Sequence, residues 1–301
     1  MSEQHGLAFL LANWYSGATL FNILLNNHTQ VVSNGEGFPF SVADDNEYTC
    51  SCGSVLHECE FYRTVGEHML SGNRGWDRSV FTQIPSYSRI ALLNMWLKSY
   101  QHLSGFRDIV LSNVPGYRRM HNKFIVAHQE FFDRARRHQN ATLYLDGTKS
   151  FRRAEIFAPY TKGVLYIVRD GRGCCNSYRK RQELPMDRLI PVARRWVDHI
   201  SRLQLYADRH PDLPLAVVRY EDLCHNLEAT MRNACGFLGL PYEDRVLGGQ
   251  LDPYHLLGNR MRMTFDGNVR EDLSWQTELD ADVIGEITEV MHFALEEYGY
   301  L

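Results

Sequence analysis

The segment that most constrains the fold runs from residue 164 to residue 181. Five apolar residues typical of a buried β-strand end at Arg169, a turn of Asp170 and Gly171 follows, and Ser177 lies in the predicted helix that comes next. This order presents a cation, backbone N–H groups and a hydroxyl to a single anion. It predicts a phosphate site outside the carboxyl end of a strand, where doubly wound α/β folds bind ligands.

A second segment has the same order of elements, which favours a phosphate site over the alternative of a surface turn with solvated arginines. Residues 6–12 are apolar, residues 13–18 form a short turn with Ser16 and Gly17, and residues 19–26 are predicted to be helical. Backbone N–H groups and the positive helix end then point at one anion. The Gly-Lys-Ser/Thr ending of a nucleotide-hydrolysing P-loop is absent, so that class is not expected.

With both segments in view, the chain resembles the sulfotransferases that use 3′-phosphoadenosine 5′-phosphosulfate (PAPS), particularly bacterial members. Tyr-Ser-Gly-Ala-Thr-Leu at 15–20 is similar to the family's 5′-phosphosulfate loop, and Val-Arg-Asp at 168–170 with Ser177 is similar to its 3′-phosphate motif. Four further segments follow in the family's order, at residues 32–36, 147–149, 218–223 and 258–262. The resemblance covers nearly the whole chain, from residue 6 to about residue 280.

The resemblance implies an α/β fold, with a parallel sheet flanked by helices in the P-loop-like sulfotransferase arrangement. The residue pattern agrees, because strand candidates alternate with amphipathic helices, which is typical of a parallel sheet covered on both faces. The predicted strands are residues 7–11, 30–33, 109–112, 142–145, 164–168 and 215–219. Three long predicted helices have apolar faces within residues 189–207, 227–238 and 283–294.

Composition favours one domain and excludes some partners. The 301 residues are 44% hydrophobic and contain no fixed repeat or Pro/Ser-rich linker, so we expect a single sulfotransferase domain over residues 1–301. A net charge of −4 argues against a nucleic-acid partner, whose binding surface would be basic. Polar residues interrupt the apolar run at 7–25 and the four residues that follow the initial Met are not basic, so neither a signal peptide nor a membrane span is expected. We therefore expect a cytoplasmic protein.

The resemblance implies PAPS as co-substrate, PAP as the desulfated product, and a small-molecule acceptor sulfated on a hydroxyl or amine. The first loop would hold the 5′-phosphate through backbone N–H groups and hydroxyls, and Arg169 with Ser177 would hold the 3′-phosphate, joined by Arg262. Nearby cations that could add positive charge are Arg172, Arg179, Lys180 and Arg181. The predicted cofactor-binding residues are Tyr15, Ser16, Gly17, Ala18, Thr19, Arg169, Ser177, Asn259 and Arg262.

Sulfuryl transfer needs a base for the acceptor proton and positive charge on the moving group, and it needs no metal in principle. Glu36 follows the second predicted strand, and the resemblance implies that it is the general base; without the resemblance, a solvated loop carboxylate would be the better interpretation. Other members use histidine, so His121 and His128 are rivals. Each lies in a polar stretch with Arg118, Arg119 and Lys123, which is more often a solvated face than a site, so both rank below Glu36.

Lys149 is the predicted catalytic cation. It follows the strand at 142–145 and matches a family lysine that contacts the transferring sulfuryl group, and Arg152 and Arg153 lie close enough in sequence to assist. Tyr15 departs from the family, which has Arg or Lys there; a phenol is uncharged at neutral pH. The alternative function is therefore a PAP- or PAPS-binding protein with weak or no transferase activity, and a small-molecule kinase is a weaker third.

The seven cysteines do not match a secreted disulfide framework, because their number is odd and they are spread over a long chain. Cys50, Cys52 and Cys59 cluster with His57 between them, which is the right number of ligands for zinc. Their spacing lacks a Cys-x-x-Cys pair, so a reduced structural loop without metal is favoured and zinc is the alternative. The remaining four are predicted core residues: Cys174, Cys175, Cys224 and Cys235.

The stretch from about residue 38 to residue 100 contains the cysteine cluster and many aromatic residues, and it is predicted to be an insert that forms a wall or lid of the acceptor site. Aromatic side chains suit a flat or hydrophobic acceptor, although ordinary core packing is the alternative. The aromatic candidates are Phe38, Phe40, Phe61, Tyr62, Trp76, Phe81, Tyr87 and Trp96.

Overall fold

A five-stranded parallel sheet with strand order β2-β3-β1-β4-β5 forms the centre of the computed structural model, which describes residues 6–37, 48–70, 80–248 and 254–301. β1 pairs with β3 on one side and with β4 on the other, so that Leu7 lies opposite Tyr144 and Leu10 opposite Leu165. The strands are β1 (Leu7–Ala12), β2 (Val31–Ser33), β3 (Leu143–Asp146), β4 (Val164–Val168) and β5 (Leu215–Arg219).

The central strands are apolar throughout because both faces of the sheet are buried. In β1, Leu7, Phe9 and Leu11 face one hydrophobic cluster, whereas the alternate residues Ala8 and Leu10 face a second cluster on the opposite side. All six residues of β1 and all five of β4 are buried. This explains why the sequence shows continuous apolar runs rather than an alternating pattern.

Helices cover both faces. The cluster on the Phe9 side includes residues of α5, α6, α8 and α13, and the cluster on the Leu10 side includes residues of α1, α9 and α10. The helices are α1 (Ala18–Asn26), α2 (Glu60–Leu70), α3 (Ala91–Lys98), α4 (Ser104–Ser112), α5 (Pro115–His138), α6 (Phe151–Phe157), α7 (Gly171–Gln182), α8 (Leu189–Arg209), α9 (Tyr220–His225), α10 (Leu227–Phe237), α11 (Met261–Thr264), α12 (Trp275–Glu278) and α13 (Ala281–Glu297).

The predicted fold class is confirmed, and the three long predicted helices correspond to α8, α10 and α13. Five of the six predicted strands occur to within one residue at each end. The sixth, at 109–112, is wrong, because these residues are the last turn of α4. A short apolar run does not distinguish a strand from a helix, and Phe106, Ile109 and Val110 recur at helical spacing.

The carboxyl ends of all five strands meet at one edge of the sheet, because every pairing is parallel. The chain leaves β1 toward β2 at one side of the sheet and later continues from β4 to β5 at the other. Ligands bind at such a reversal in open α/β sheets. The residues that follow the strands there are 13–17, 34–36, 147–149, Arg169 and Tyr220.

Among the described residues, no helix combines the length and the apolar composition that a membrane crossing requires. Three of the aromatic candidates, Phe38, Phe40 and Trp76, lie outside the described residues, as do the residues that precede Gly6.

Candidate functional site

A cavity of about 180 Å³ opens at the carboxyl edge of the sheet. It brings together both predicted phosphate segments, although 154 residues separate Tyr15 from Arg169 in the sequence. Of the eleven predicted site residues, all line this cavity except Glu36 and Arg262. The lining residues are Tyr15, Ser16, Gly17, Ala18, Thr19, Leu20, Lys149, Arg169, Ser177, Tyr220, Asn259, Met261 and Asp272.

The turn after β1 presents the start of α1 to the cavity. Gly17 is the N-cap of α1 and has a φ of 86°, a left-handed conformation that favours glycine. In the part of the chain that the structure describes, no side chain caps this helix end, so the first N–H groups of α1 are available to an anion. The Ser16 hydroxyl donates to the Asn13 carbonyl oxygen at 2.7 Å and so stabilises the turn from inside.

Gly17 is also required by the packing of its neighbour. A Cβ atom at this position would lie 2.4 Å from Cδ2 of Tyr220, which is much closer than van der Waals contact. Tyr220 is the first residue of α9 and lines the cavity from the side of β5. The close approach of the turn to this ring fixes the distance between the first loop and the neighbouring strand end.

Arg169 connects the two phosphate segments directly. Its Nη1 donates to the Tyr15 carbonyl oxygen at 3.0 Å and to the Ser177 hydroxyl at 3.4 Å. The guanidinium carbon lies 4.8 Å from the centre of the Tyr220 ring, a distance typical of a cation–π contact. The side chain is therefore held at the cavity wall before any ligand binds.

Asp272 occupies the other end of the Arg169 guanidinium. Nη2 of Arg169 donates to the Asp272 carbonyl oxygen at 2.7 Å and to its carboxylate Oδ2 at 3.2 Å. Burial raises the pKa of the Asp272 carboxyl, but hydrogen bonds from Ser274 and the charge of Arg169 outweigh it, so this pKa lies below its usual range. An ionised carboxylate thus lies where a phosphate would meet Arg169.

Glu36 and Lys149 form an ion pair beside the cavity. Lys149 Nζ lies 2.7 Å from Oε1 of Glu36, and the Thr19 hydroxyl donates to the same oxygen at 3.0 Å. Within the described part of the chain, both hydrogen bonds to this carboxylate go to Oε1 and none to Oε2. Glu36 does not line the cavity itself but contacts two residues that do.

Lys149 is positioned by the turn after β3. Asp146 Oδ1 accepts hydrogen bonds from the backbone N–H of Thr148 at 3.1 Å and from its hydroxyl at 2.6 Å, which closes a tight turn. Lys149 then adopts a φ of 59°, in the left-handed region that side chains other than glycine rarely enter. This conformation directs the ammonium group to Glu36.

Arg152 and Arg153 do not assist at the cavity. Arg152 binds both carboxylate oxygens of Asp108 on α4. Arg153 is fully buried and forms an ion pair with Asp146 at 2.7 Å. Both guanidiniums are therefore engaged by carboxylates inside the fold, and Lys149 is the cation of this segment that reaches the cavity.

The histidine rivals to Glu36 lie on α5, away from the cavity lining. His128 is completely buried, its Nδ1 lies 2.9 Å from the Phe124 carbonyl oxygen, and burial followed by the charge of Arg153 holds its pKa well below the usual range. Nδ1 of His121 lies 3.1 Å from the hydroxyl of Tyr87. The expectation that both belong to a solvated polar face is wrong for His128, which is part of the core.

Arg262 holds a loop. Its guanidinium donates to the carbonyl oxygens of Gly258, Asn259 and Thr49, the last at 2.8 Å. Asn259 lines the cavity and its side-chain oxygen accepts the N–H of Met261 at 2.9 Å. The Gly-Asn-x-x-Arg segment is thus positioned at the cavity by Arg262, which itself does not line it.

The remaining cations near Arg169 are paired outside the cavity. Arg172 binds the Asp170 carboxylate at 2.7 Å and lies over the Trp275 ring. Lys180 lies 3.0 Å from Glu278. Neither lines the cavity, and neither do Arg179 and Arg181, so Arg169 and Lys149 are its cationic lining residues.

The Tyr15 ring packs among aromatic residues. It lies 6.1 Å from the ring of Tyr178 on α7 and 6.4 Å from the ring of Trp14, and the Trp14 and Tyr178 rings are 4.9 Å apart. Its backbone has a φ of 58°. This cluster lies next to Ser177, so an aromatic surface adjoins the predicted 3′-phosphate position.

The predicted acceptor wall is largely core. Phe61, Tyr62 and Phe81 are buried within the cluster on the Phe9 side of the sheet. Tyr87 stacks on Tyr117 with ring centres 4.5 Å apart. Trp96 is half exposed on α3. Other large apolar side chains on α3 and on or next to α4 are also exposed: Leu92, Met95, Leu103, Phe106 and Ile109.

Four residues of the cavity lining were not predicted as site residues: Leu20, Met261, Tyr220 and Asp272. Leu20 and Met261 lie within segments that carry the family resemblance. The sequence could have indicated Tyr220, because this residue directly follows β5 just as other site residues follow their strands. No sequence pattern identifies Asp272, since it lies in a loop between α11 and α12 whose path the sequence does not indicate.

Comparisons with known proteins find similarity to sulfotransferases. Residues 128–244 match the model of the sulfotransferase family. The fold is similar to that of the sulfotransferase domain from the curacin biosynthetic pathway, with a TM-score of 0.51 and 15% identity over 96% of this chain and 97% of that one. It is also similar to sulfotransferase STF9 from Mycobacterium avium, with a TM-score of 0.50 and 11% identity over 98% and 77% of the two chains. No curated protein sequence matches significantly.

Proposed function

We propose that the chain transfers a sulfuryl group from PAPS to a hydroxyl or amine of a small-molecule acceptor, in line with the match of residues 128–244 to the sulfotransferase family model. The observation that carries this proposal is the single cavity lined both by residues 15–19 and by Arg169 with Ser177. A donor with phosphates at both ends of an adenosine needs two anion sites facing the same space. The uncapped start of α1 suits the 5′-phosphosulfate, and Arg169 suits the 3′-phosphate.

In the proposed reaction, the acceptor oxygen attacks the sulfur atom and the bond between sulfur and the 5′-phosphate oxygen breaks. The acceptor proton passes to Glu36, and Oε2 is the available oxygen because Oε1 already accepts from Thr19 and Lys149. The Lys149 ammonium stabilises the negative charge that develops on the sulfuryl and bridging oxygens. PAP and the sulfated acceptor leave.

Lys149 also bears on the alternative of a nucleotide-binding protein without transferase activity. That alternative rests on the loss of a family cation at Tyr15, which leaves the sulfuryl group without one of its usual charges. Lys149 lines the same cavity and forms an ion pair with the proposed base, so a cation and a carboxylate are both supplied. This arrangement favours transfer over binding alone.

We also propose that the protein works in the cytoplasm without a nucleic-acid partner. None of the seven cysteines forms a disulfide, which fits a reducing compartment. The net charge of −4 does not favour binding to a polyanion.

Binding of PAP tests the nucleotide assignment. PAP at 100 times its dissociation constant is expected to stabilise the protein by about 2.7 kcal/mol, seen as a rise in melting temperature. Arg169→Ala should remove this rise, whereas Arg181→Ala, at an exposed position of α7 that does not line the cavity, should retain it. An unchanged melting temperature at saturating PAP would contradict the assignment.

Transfer is tested separately with labelled PAPS and a panel of phenols, alcohols and amines. A labelled product that Glu36→Gln prevents supports the proposed reaction. If PAP binds but no member of the panel is sulfated, and Tyr15→Arg creates no activity, the binding-only alternative is favoured instead.

A further inference from the structure

Three cysteines and one histidine converge at a site that the proposed reaction does not use. The sulfur atoms of Cys50, Cys52 and Cys59 and a ring nitrogen of His255 all lie within 4.8 Å of one another. Cys50 and Cys59 are fully buried, and Cys52 and His255 are partly buried. His255 is 196 residues from Cys59, so the fold, and not a local loop, creates this group.

Three separations between these ligand atoms are within a few tenths of an ångström of those in a tetrahedral metal site. Nδ1 of His255 lies 3.6 Å from the Cys50 sulfur and 3.2 Å from the Cys59 sulfur, and the sulfurs of Cys52 and Cys59 are 3.7 Å apart. A tetrahedral zinc ion with Zn–S bonds of about 2.3 Å and Zn–N bonds of about 2.0 Å separates its ligand atoms by about 3.5 to 3.8 Å. Three thiolates and one imidazole are a common structural zinc set.

The backbone holds these ligands in place. The N–H of Cys50 donates to the Ser54 carbonyl oxygen at 2.9 Å, and Gly53, with a φ of 91°, turns the chain back so that its N–H reaches the Cys50 carbonyl oxygen at 2.9 Å. The His255 ring stacks on Phe61 with ring centres 4.8 Å apart and planes inclined by 10°. Ring orientation and loop geometry are therefore fixed without a metal, which is what a preformed site requires.

We propose that Cys50, Cys52, Cys59 and His255 bind one structural zinc ion. This differs from the sequence expectation of a metal-free loop, which counted His57 as the only nearby fourth ligand. His57 lies 3.7 Å from Glu58 with about half of its side chain exposed, and it is not in the group. A Cys52–Cys59 disulfide is the competing use of these thiols, but their sulfurs are 3.7 Å apart, well beyond the bond length of about 2.05 Å.

The zinc ion would stabilise the segment of residues 255–259, which leads to the cavity described above. His255 lies two residues before Leu257, whose N–H donates to the Asn34 carbonyl oxygen at 2.9 Å and whose carbonyl oxygen accepts the N–H of Glu36 at 3.1 Å. The same segment continues into Asn259 at the cavity. The ion would thus connect the loop after β2 to the segment that lines the nucleotide cavity.

Metal content of the purified full-length protein tests the proposal. We expect about one zinc ion per chain by mass spectrometry after extensive dialysis, and release of that zinc when the thiols are modified. Replacement by cobalt should give the visible absorption of a tetrahedral thiolate site. Protein that contains no zinc and fails to take up zinc or cobalt after reduction would overturn the proposal, as would a Cys52–Cys59 disulfide in protein that was never exposed to oxidant.

Matched histidine variants identify the fourth ligand. His255→Asn should lose most of the zinc, and His57→Asn should retain it; the opposite pattern would overturn the assignment of His255. Cys52→Ser provides a second test because Cys52 is only partly buried, whereas Cys235→Ser changes a buried thiol outside the group and should not affect zinc content. Zinc content does not depend on sulfuryl transfer, so this test stands whether or not the proposed reaction is correct.

Discussion

Lys149 Nζ lies 2.7 Å from Oε1 of Glu36 although 113 residues separate the two in the chain. Glu36 follows β2 and Lys149 follows β3, and these strands are neighbours in the sheet. A carboxylate and an ammonium group are thereby held at one point beside the cavity of residues 15–19. A hydroxyl that enters here meets a proton acceptor and a positive charge together.

Removing the charge of Lys149 tests its catalytic role. Lys149→Met keeps the length of the side chain but removes the ammonium group, and we expect kcat to fall about 100- to 1000-fold, because a preorganised charge at the reacting group is lost. Affinity for PAP should change much less. The measurement is steady-state sulfation of any acceptor identified with the panel. Lys123→Met, an exposed position on α5, is the control and should have normal kcat.

A methyl group at Gly17 tests the shape of the first loop. Gly17→Ala places a Cβ 2.4 Å from the Tyr220 ring at a φ of 86°. The left-handed backbone alone costs about 1 kcal/mol, so we expect a lower melting temperature and PAP binding weakened by about ten-fold or more. The measurement is calorimetric titration with PAP.

The control for that change is Gly285→Ala. Gly285 lies inside α13, where an added Cβ meets no atom within 4 Å, so alanine should stabilise the helix by about 0.5 to 1 kcal/mol. PAP affinity should be normal. Equal effects of the two substitutions on PAP affinity would show that the contact between Gly17 and Tyr220 does not matter.

The strands and most of the residues that line the cavity could be predicted from the sequence because they depend on local patterns. The local sequence alone indicates two strand ends, because one apolar run is followed by Ser16 and Gly17 and another by Arg169. The parallel sheet predicted that Glu36 lies at the carboxyl edge, but its contact with Lys149 depends on the adjacency of β2 and β3, which the sequence did not indicate. In contrast, His255 and Asp272 lie in loops after β5, and no periodicity or spacing relates them to Cys59 or Arg169.

The same distinction explains the wrong predictions. His128 was assigned to a polar face because Arg118, Arg119 and Lys123 precede it, but it lies on the buried side of α5. Arg153 was considered for the sulfuryl group because of its distance in sequence from Lys149, yet the helix turns it toward Asp146 in the core. The side of the helix from which each side chain projects, and not its distance in sequence, determines which of these side chains reach the cavity.

Removing the carboxylate of Asp272 tests whether it competes with phosphate for Arg169. Asp272→Asn should strengthen PAP binding by about five-fold, on the scale of a partly exposed ion pair. The 3.2 Å contact with Arg169 then no longer opposes the incoming anion, and the backbone carbonyl of residue 272 still orients the guanidinium. Calorimetric titration at fixed ionic strength measures the change.

Asp282→Asn is the control for net charge. It removes one negative charge at an exposed position of α13 that does not line the cavity. If it strengthens PAP binding as much as Asp272→Asn does, a general charge effect explains the result and the competition is rejected.

His199 makes stability depend on pH. Burial, followed by the charges of Arg202 and Lys149, lowers the pKa of His199 from 6.5 to about 3. Between these two values the unfolded chain binds a proton at this position and the folded protein does not. The free energy of unfolding should therefore be at its full value above pH 6.5 and fall with decreasing pH by about 1.4 kcal/mol per pH unit for this one group.

The variant His199→Asn isolates that contribution. Asparagine keeps a polar atom near the Tyr166 hydroxyl, which lies 3.0 Å from Nδ1 of His199, but it does not titrate. In urea unfolding, the slope of stability against pH should be smaller than in the unmodified protein by about 1.2 kcal/mol per unit between pH 5 and 6, and by about half of that between pH 6 and 7. His128 contributes equally to both proteins, so the difference between the slopes reports on His199 alone. Equal slopes would mean that His199 is protonated in the folded protein at these pH values, and that its burial beside Tyr166 does not keep it neutral.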